Sequence, residues 1–278
     1  LLARGSIKSK RPNLIYALLQ LGITLYLPLS IFFIRNVKNI LGLTLGEGIG
    51  VVPILFSSFF ILLPLSLFDG AQFPFGCRIL SDANKKPLES SGRVYILEAM
   101  GFILAGPIFT YILITRLDSF SIAFILGTLN LASAILLLKN RLKDALTKSF
   151  FMIINVLFIL VIFSFFGLAA KLHRFSVDKQ WQGQKVLSYK NSVYANLVVT
   201  KSKDQYTFYS YGVPIITTPV PDITHTEELV HFTMLSHPNP KNVLLLSGGA
   251  GGVIKEILKY PIEKLTYNTI GKLLFRKR

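Results

Sequence analysis

Charged residues and cysteine are both scarce in this sequence. Asp, Glu, Lys and Arg together make up 16% of its 278 residues, against roughly 25% in an ordinary soluble domain. The single cysteine, Cys77, has no second cysteine with which to form an intramolecular disulfide, so cysteine usage says nothing of the redox compartment. The chain opens Leu1-Leu2-Ala3-Arg4 and lacks the pattern of a secretory signal peptide, and we expect it to be an internal fragment.

The net charge of +16 does not indicate nucleic-acid binding, because the basic residues do not gather in one region. Of the 30 Lys and Arg and the 14 Asp and Glu, half of each lie before and half after Ala170, which is 15 against 7 on both sides. Nearly all the Lys and Arg residues before Ala170 lie in short loops beside apolar runs, where we expect them to set membrane topology and contact anionic lipid. The lipid bilayer is therefore the expected partner, nucleic acid is not, and the oligomeric state cannot be inferred.

The apolar residues concentrate between residues 12 and 170, in runs close to the roughly 20 residues that cross a bilayer. Four clear runs cover 13–34, 94–115, 119–138 and 149–170. The stretch 40–80 is interrupted by prolines and acids, and predicts either one crossing at about 49–68 with a re-entrant or interfacial tail, or two short crossings. We therefore expect at least five transmembrane helices in residues 1–170, in a plasma or inner membrane.

Glu98 lies alone within an apolar run, where an ionisable side chain is costly and often functional. One interpretation gives it a proton or substrate role inside the helix bundle. The favoured interpretation places it one turn from the start of the helix, where it is hydrated or paired with Arg93.

A second region begins at Lys171, where the composition becomes more polar. Residues 171–222 alternate apolar and polar side chains in short runs, and predict a small β-hairpin unit. Its clearest strands are Val193–Thr200 and Gln205–Ser210, with a turn between them. Residues 223–278 then predict the start of an α/β domain, opened by a helix from Glu227.

A glycine loop is the part of the sequence that most resembles a binding site. The apolar run Val243–Leu246 predicts a buried strand, and it ends at a turn that contains Gly248, Gly249, Ala250, Gly251 and Gly252. Apolar residues then recur at helical spacing as far as Pro261. A glycine loop between a strand and a helix lets a ligand approach the backbone, and open α/β sheets bind nucleotides at this position.

Several stretches resemble the spermidine/spermine synthase family, the polyamine aminopropyltransferases. They are EELVH at 227–231, HPNPKN at 237–242, and VLLLSGGAGGVIKEILKYPIEKLTY at 243–267. The stretches GAQFP at 70–74 and YILEAMG at 95–101 are similar to the membrane half of the multi-helix members. The resemblance implies a transmembrane helical bundle, a small β unit and a truncated Rossmann-like domain of the AdoMet-methyltransferase type.

The same resemblance implies an activity and a set of contacts. The activity is aminopropyl transfer from decarboxylated AdoMet, a cosubstrate and not a permanently bound cofactor, to an amine. The residues implied as contacts are Gly248, Gly249, Ala250, Gly251, Gly252, Glu227 and His231. Glu227 and His231 also have a structural interpretation, in which the acid opens a helix and the histidine packs beneath the loop. No metal site is predicted, since the four histidines are dispersed.

The sequence departs from the family pattern where the family carries acids. Ala250 replaces the acid that often follows the paired glycines, Thr269 replaces the glutamate expected for the ribose hydroxyls, and Gly271 replaces an aspartate. In the β unit, Ala195 stands in place of a glutamine and His225 in place of a tyrosine. No catalytic residue is identified, and we expect this fragment to be inactive.

Two other functions fit parts of the sequence. A non-catalytic membrane transporter or scaffold with a degenerate nucleotide-binding domain explains the missing acids. A methyltransferase explains the glycine loop and leaves the β unit unexplained. The basic loop Lys139–Lys148 favours an outside location for the second region, whereas a cytosolic ligand favours the cytoplasm, which is the location we predict.

Overall fold

The structure is a computed structural model that describes residues 9–44, 46–85, 87–139, 145–165, 167–249 and 251–268. The chain divides into two compact units. The helical unit comprises Leu1–Gln182 with Asn191–Tyr194, and the mixed unit comprises Gly183–Lys190 with Ala195–Arg278.

Six helices form the described part of the helical unit. They are α1 (Pro12–Ile40), α2 (Val51–Asn84), α3 (Pro87–Pro107), α4 (Ser119–Lys139), α5 (Ala145–Phe165) and α6 (Leu168–Gln180). Helix α3 continues through a π-helical turn, Ile108–Leu113, to Arg116. Five of these segments are long and apolar enough to cross a membrane: Pro12–Ile40, Val51–Asn84, Leu88–Arg116, Ser119–Lys139 and Ala145–Ile162.

Helix α2 is one continuous helix of 34 residues, although its sequence contains two internal prolines. The sequence predicted either a shorter crossing with a separate tail or two short crossings, and the structure has neither. The helix runs through both Pro64 and Pro74. A helix in an apolar environment tolerates proline where neighbouring helices and side chains compensate for the missing N–H group.

The core of the helical unit lies between α1, α4 and α5. Its fully buried residues are Ala17, Leu131, Ala134, Leu138 and Ile154. Helix α4 packs closely against α1 at Gly127, where an added Cβ atom would lie 2.9 Å from the Cγ2 atom of Thr24. Small residues at such contacts are typical of helices that pack in a membrane.

Glu98 lies far from the start of its helix. Helix α3 begins at Pro87, so Glu98 follows it by about three turns. Arg93 pairs with Glu89 at 2.8 Å instead of pairing with Glu98. The expectation that Glu98 lies one turn from the helix start is therefore wrong, because the helix begins earlier than the apolar run does, and the alternative pairing with Arg93 is wrong as well.

A buried arginine of α1 bonds to the start of α4 and to α6. Arg35 donates to the hydroxyl of Ser119 at 3.1 Å and to Nδ1 of His173 at 3.3 Å. Asp118 lies 3.6 Å from the same nitrogen of His173. Burial, followed by the charge of Arg35, lowers the pKa of His173, and Asp118 partly opposes this shift. The cluster holds α6, which carries His173, against α1.

The mixed unit begins with a four-stranded sheet, in which the second, third and fourth strands pair antiparallel. Residues 171–180, which composition assigned to the second region, form most of α6 in the helical unit. The sheet has four strands in sequential order, β1 (Lys185–Asn191), β2 (Asn196–Ser202), β3 (Gln205–Ser210) and β4 (Val213–Thr218). Strands β2 and β3 form the expected hairpin, with Ser202 opposite Gln205. Lys203 in the turn has φ 53°, the left-handed conformation that two-residue hairpin turns require.

A second sheet follows, with two parallel strands. The elements are α7 (Ile223–Leu235), β5 (Asn242–Leu246), α8 (Val253–Ile257) and β6 (Lys264–Asn268). Strand β5 pairs in parallel with β6, and Val230, Met234, Val253 and Ile257 form the core against it.

Strand β5 is only half buried, which corrects the expectation of a buried strand. Val243 and Leu245 pack on the core, whereas Leu244 and Leu246 are 61% and 57% exposed. Alternate residues of a strand point to opposite faces, and among the described residues none buries the second face.

Candidate functional site

The glycine loop between β5 and α8 contains four residues with a left-handed backbone. Ser247 has φ 64°, Gly248 has 70°, and Gly251 and Gly252 both have 98°. The N–H of Ser247 donates to the carbonyl oxygen of Asn268 at 2.8 Å, which ties the end of β5 to the end of β6. Glycine adopts these angles without steric cost, whereas serine does not. Ser247 is therefore held in a backbone conformation that glycine would adopt more easily.

Gly249 and Gly252 are required by close packing. A Cβ atom at Gly249 would lie 2.6 Å from Cε2 of Tyr267, and one at Gly252 would lie 3.2 Å from Cγ of Pro221. By contrast, a Cβ atom at Gly248 would meet nothing within 4 Å. Of the loop glycines, Gly248 thus has the open surroundings that a ligand would need.

Helix α7 holds the loop from one side. Its first turn is capped by Asp222, whose side chain accepts from the backbone N–H of His225 at 3.1 Å. One turn on, the Thr226 hydroxyl donates to the carbonyl oxygen of Gly251 at 3.2 Å. The position of the loop therefore depends on α7 as well as on β5.

A cavity of about 270 Å³ lies between α7, β5 and the loop. Its lining is mostly apolar, and its residues are Leu229, Val230, Thr233, Met234, Val243, Leu244, Leu245, Leu246, Ser247, Gly248, Val253 and Ile257. Among the residues implied by the family resemblance, Gly248 is the one that lines it. The described lining contains no carboxylate, so the cavity suits an apolar or aromatic group better than a cation.

Glu227 and His231 come together, but on a different stripe of α7 from the cavity-lining residues. Their ligand atoms and those of Glu256 all lie within 4.8 Å of one another. His231 Nδ1 is hydrogen-bonded to the hydroxyl of Tyr260 at 2.6 Å, and its Nε2 lies 3.8 Å from Oε2 of Glu256. The side chain of Lys259 pairs with the same oxygen at 2.6 Å.

The sequence predicted only Glu227 and His231 of this polar group. The spacing of four residues places Glu227 and His231 on one face of a helix. Glu256 belongs to the helix that follows the glycine loop, and no local pattern in the sequence indicates that it meets Glu227 and His231. The hydrogen bond to Glu256 is the main reason why the pKa of Lys259 is raised. Ala250, Thr269 and Gly271 lie outside the described residues.

The structure defines the class of protein as follows. A helical unit precedes a sheet-containing unit, and the second unit has a glycine loop between a parallel strand and a helix. Residues 223–271 match the family described as the spermine/spermidine synthase domain. This match covers α7, the glycine loop and β6. This part of the chain is therefore similar to the spermidine synthase family, as its sequence motifs indicated.

Several curated proteins are similar to the chain. A polyamine aminopropyltransferase of Leptospira interrogans is 29% identical over 75% of this chain and 41% of its own length. Polyamine aminopropyltransferase 1 of Bacillus cereus is 31% identical over 39% of this chain and 36% of its own length. A spermidine synthase of Dictyostelium discoideum is 36% identical over 32% of each chain. The chain thus spans about two fifths of the curated relatives it matches, and no solved structure matches it.

Proposed function

We propose that this chain is part of a membrane-bound spermidine/spermine synthase-like protein. In the complete protein, an aminopropyl group passes from decarboxylated AdoMet to an amine acceptor. The observation that carries the proposal is the glycine loop, which follows a parallel strand inside the segment that matches the family. The relatives named as aminopropyltransferases support the reaction type.

Membrane insertion is supported by the surface of the helical unit. The most apolar segments of α2 and α3 contain no buried residue, and they expose large side chains such as Phe59, Phe60 and Phe102. Contiguous apolar surface of this extent is unfavourable in water. Carbonate extraction of a membrane fraction tests the proposal: the chain should stay in the pellet, and its release into the supernatant would overturn membrane insertion.

The described cavity provides only part of what decarboxylated AdoMet needs. This cosubstrate carries a cationic sulfonium and a ribose diol, and it supplies the carbon that the amine attacks. Apolar side chains such as Leu229 and Val253 suit its adenine ring, while Ser247 and Thr233 offer hydroxyl groups. Neither a carboxylate for the cation nor a base for the amine proton lines the described cavity. The residues therefore do not fit the whole cosubstrate, and we infer that this chain binds it weakly and does not catalyse transfer.

Calorimetry on the detergent-solubilised chain tests this inference. A hydrogen bond to a charged group contributes roughly 1.5–3 kcal/mol, so loss of one carboxylate weakens binding by about one to two orders of magnitude. We expect no saturable binding of decarboxylated AdoMet at micromolar concentration. A soluble aminopropyltransferase in the same detergent is the positive control. Micromolar binding that a bulky Thr233→Trp substitution abolishes would show that the described cavity suffices.

The second candidate function is a non-catalytic transporter or scaffold with a degenerate nucleotide-binding domain. The observation that favours it is the absence of carboxylates from the described cavity lining. The two functions differ in turnover: a full-length protein that binds an adenosine ligand and releases no aminopropylated amine is the scaffold. A reading frame that supplies Glu and Asp beyond Tyr267 favours the enzyme.

The mixed unit is proposed to face the cytoplasm, because an adenosyl cosubstrate is a cytosolic metabolite. A pair of reporters fused after Arg278 tests the orientation. A reporter that is active only in the cytoplasm should give signal, and signal from one that is active only in the periplasm would reverse the assignment.

A further inference from the structure

The mixed unit contains a group of potential metal-ligand side chains that lies outside the lining of the described cavity. Glu227 and His231 lie one turn apart on α7, and Glu256 faces them from α8. All three are partly buried, with Glu256 only 12% exposed at its side chain. We propose that these three residues bind one divalent transition-metal ion that clamps α8 to α7. The proposal does not depend on aminopropyl transfer.

The separations suit a shared ion. Metal–nitrogen and metal–oxygen bonds to zinc are about 2.1 Å, so two ligand atoms of one ion lie at most about 4.2 Å apart. His231 Nε2 and Glu256 Oε2 are already 3.8 Å apart. The ligand atoms of the whole set lie within 4.8 Å of one another, whereas those of a tetrahedral site lie about 3.4 Å apart, so closure on the ion requires a movement of about 1.4 Å, within the reach of a glutamate side chain.

The histidine is oriented as a metal ligand usually is. Ligating histidines commonly use the second ring nitrogen for a hydrogen bond that fixes the tautomer and the ring orientation. Here the hydroxyl of Tyr260 bonds Nδ1 at 2.6 Å, and the opposite nitrogen points toward Glu256. When Nδ1 carries the proton and donates to Tyr260, the lone pair of Nε2 is available to an ion.

The position of Lys259 indicates that the group attracts a cation. Its ammonium lies 2.6 Å from Glu256 Oε2, while about half of its side chain is exposed. An ion pair to an exposed lysine is weak because water and salt screen it, so a metal ion displaces it readily. Lys259 is therefore a competitor of the metal, and its removal should tighten metal binding.

The ligand types select the class of metal. One imidazole and two carboxylates suit Zn²⁺, Mn²⁺ and similar ions, whereas Mg²⁺ and Ca²⁺ prefer oxygen ligands alone. Three protein ligands leave at least one coordination position for water. Because α8 is a helix of five residues that directly follows the glycine loop, an ion at Glu256 would also hold that loop.

Titration of the tag-free, detergent-solubilised chain with Zn²⁺ tests the proposal, with Co²⁺ absorption as the spectroscopic readout. We expect one saturable site, visible Co²⁺ bands and no competition from millimolar Mg²⁺. His231→Gln and Glu227→Gln should each lower affinity at least tenfold. His225→Gln, on the same helix and outside the ligand set, is the matched control and should bind normally.

Two further variants separate a metal site from a structural polar cluster. Lys259→Met should raise Zn²⁺ affinity several-fold, whereas a merely structural lysine predicts no change. Tyr260→Phe keeps the packing of the ring and should lower affinity about tenfold, in the range typical of outer-shell partners. Circular dichroism without metal establishes that each variant is folded. Binding that is absent, or equally strong in His231→Gln and in the control, would overturn the proposal.

Discussion

The two units solve the same problem, the burial of polar groups, in opposite ways. Hydroxyl groups of the helical unit bond to carbonyl oxygens one turn back in their own helix, as at Thr24, Thr115 and Thr128. In the mixed unit, comparable groups bond between elements, as Thr226 does to Gly251 and Thr200 does to Gln184. These hydroxyl groups of the helical unit are thus satisfied within their own helices, although Arg35 and Gln20 bond to other helices, whereas the glycine loop depends on several elements at once.

This difference predicts that packing defects dominate in the helical unit and backbone defects in the mixed unit. Contacts between helices supply the stability of a bundle whose helices are already satisfied internally. A loop with left-handed residues is sensitive to small changes in φ preference. The predictions below test that distinction, from the largest expected effect to the smallest.

The largest effect is expected from a cavity in the helical core. Leu131 is completely buried among Ala17, Ala134 and Leu138. Leu131→Ala should lower the free energy of unfolding by about 2–5 kcal/mol, because neighbouring helices cannot close the space. Unfolding by a denaturing detergent measures the loss. Leu136→Ala is the control on the same helix, since Leu136 is 71% exposed, and an equal loss there would contradict the assigned core.

A matched pair of glycine substitutions compares the units directly. Gly127→Ala places a methyl group 2.9 Å from Thr24, and Gly249→Ala places one 2.6 Å from Tyr267. Each should lower the free energy of unfolding by about 1–3 kcal/mol. The loss should be larger at Gly127, because Thr24 is buried whereas Tyr267 is 41% exposed and its ring can turn away.

Thr24→Ser should rescue the variant at Gly127. It removes the Cγ2 atom that Gly127→Ala would contact, so the double variant should recover most of the lost stability. If the double variant is no more stable than Gly127→Ala alone, the close approach of α1 and α4 is not the cause.

A smaller effect, of opposite sign, is expected at the start of the glycine loop. Ser247→Gly should raise the free energy of unfolding by about 0.5–1 kcal/mol, because glycine adopts φ 64° without strain. Thermal unfolding of the mixed unit within the full chain measures the gain. Ser236→Gly is the control at an ordinary φ of −68°, where the substitution should lower stability.

The smallest effect is a pH dependence of the helical unit. The pKa of His173 is lowered by burial and by Arg35, so the folded state resists its protonation. The stability that neutral His173 contributes is therefore fully present above about pH 6.5, the pKa of histidine in the unfolded state. It is lost as the pH falls through the lower pKa that His173 has in the folded state. His173→Gln should flatten the decline of the unfolding midpoint between pH 7 and pH 5. His237→Gln, in the mixed unit, should leave the decline unchanged.

Much of the architecture followed from local sequence patterns. The apolar runs located the long helices, and the turn at Lys203 fixed the β2–β3 hairpin. The apolar run before Ser247 and the helical spacing after Gly252 located the strand, loop and helix in order. Each of these signals depends on residues that are close in sequence, which is why they could be read without a structure.

The rest depended on contacts between distant residues. Helix α2 continues through Pro64 and Pro74, where the local rule predicts a break. Glu256 meets Glu227 only after the chain has passed through β5 and the loop. The exposure of Leu244 depends on which elements cover the sheet, and an apolar run alone does not contain that information.

The pairing of β5 with β6 has a practical consequence for handling the protein. The two strands hydrogen-bond only to each other among the described strands, so each outer edge presents unpaired N–H and C=O groups. Such edges are templates for a strand from another molecule. Detergent covers apolar helices and leaves these edges open, so edge-to-edge association through β5 or β6 should limit the concentration at which purified chain can be stored.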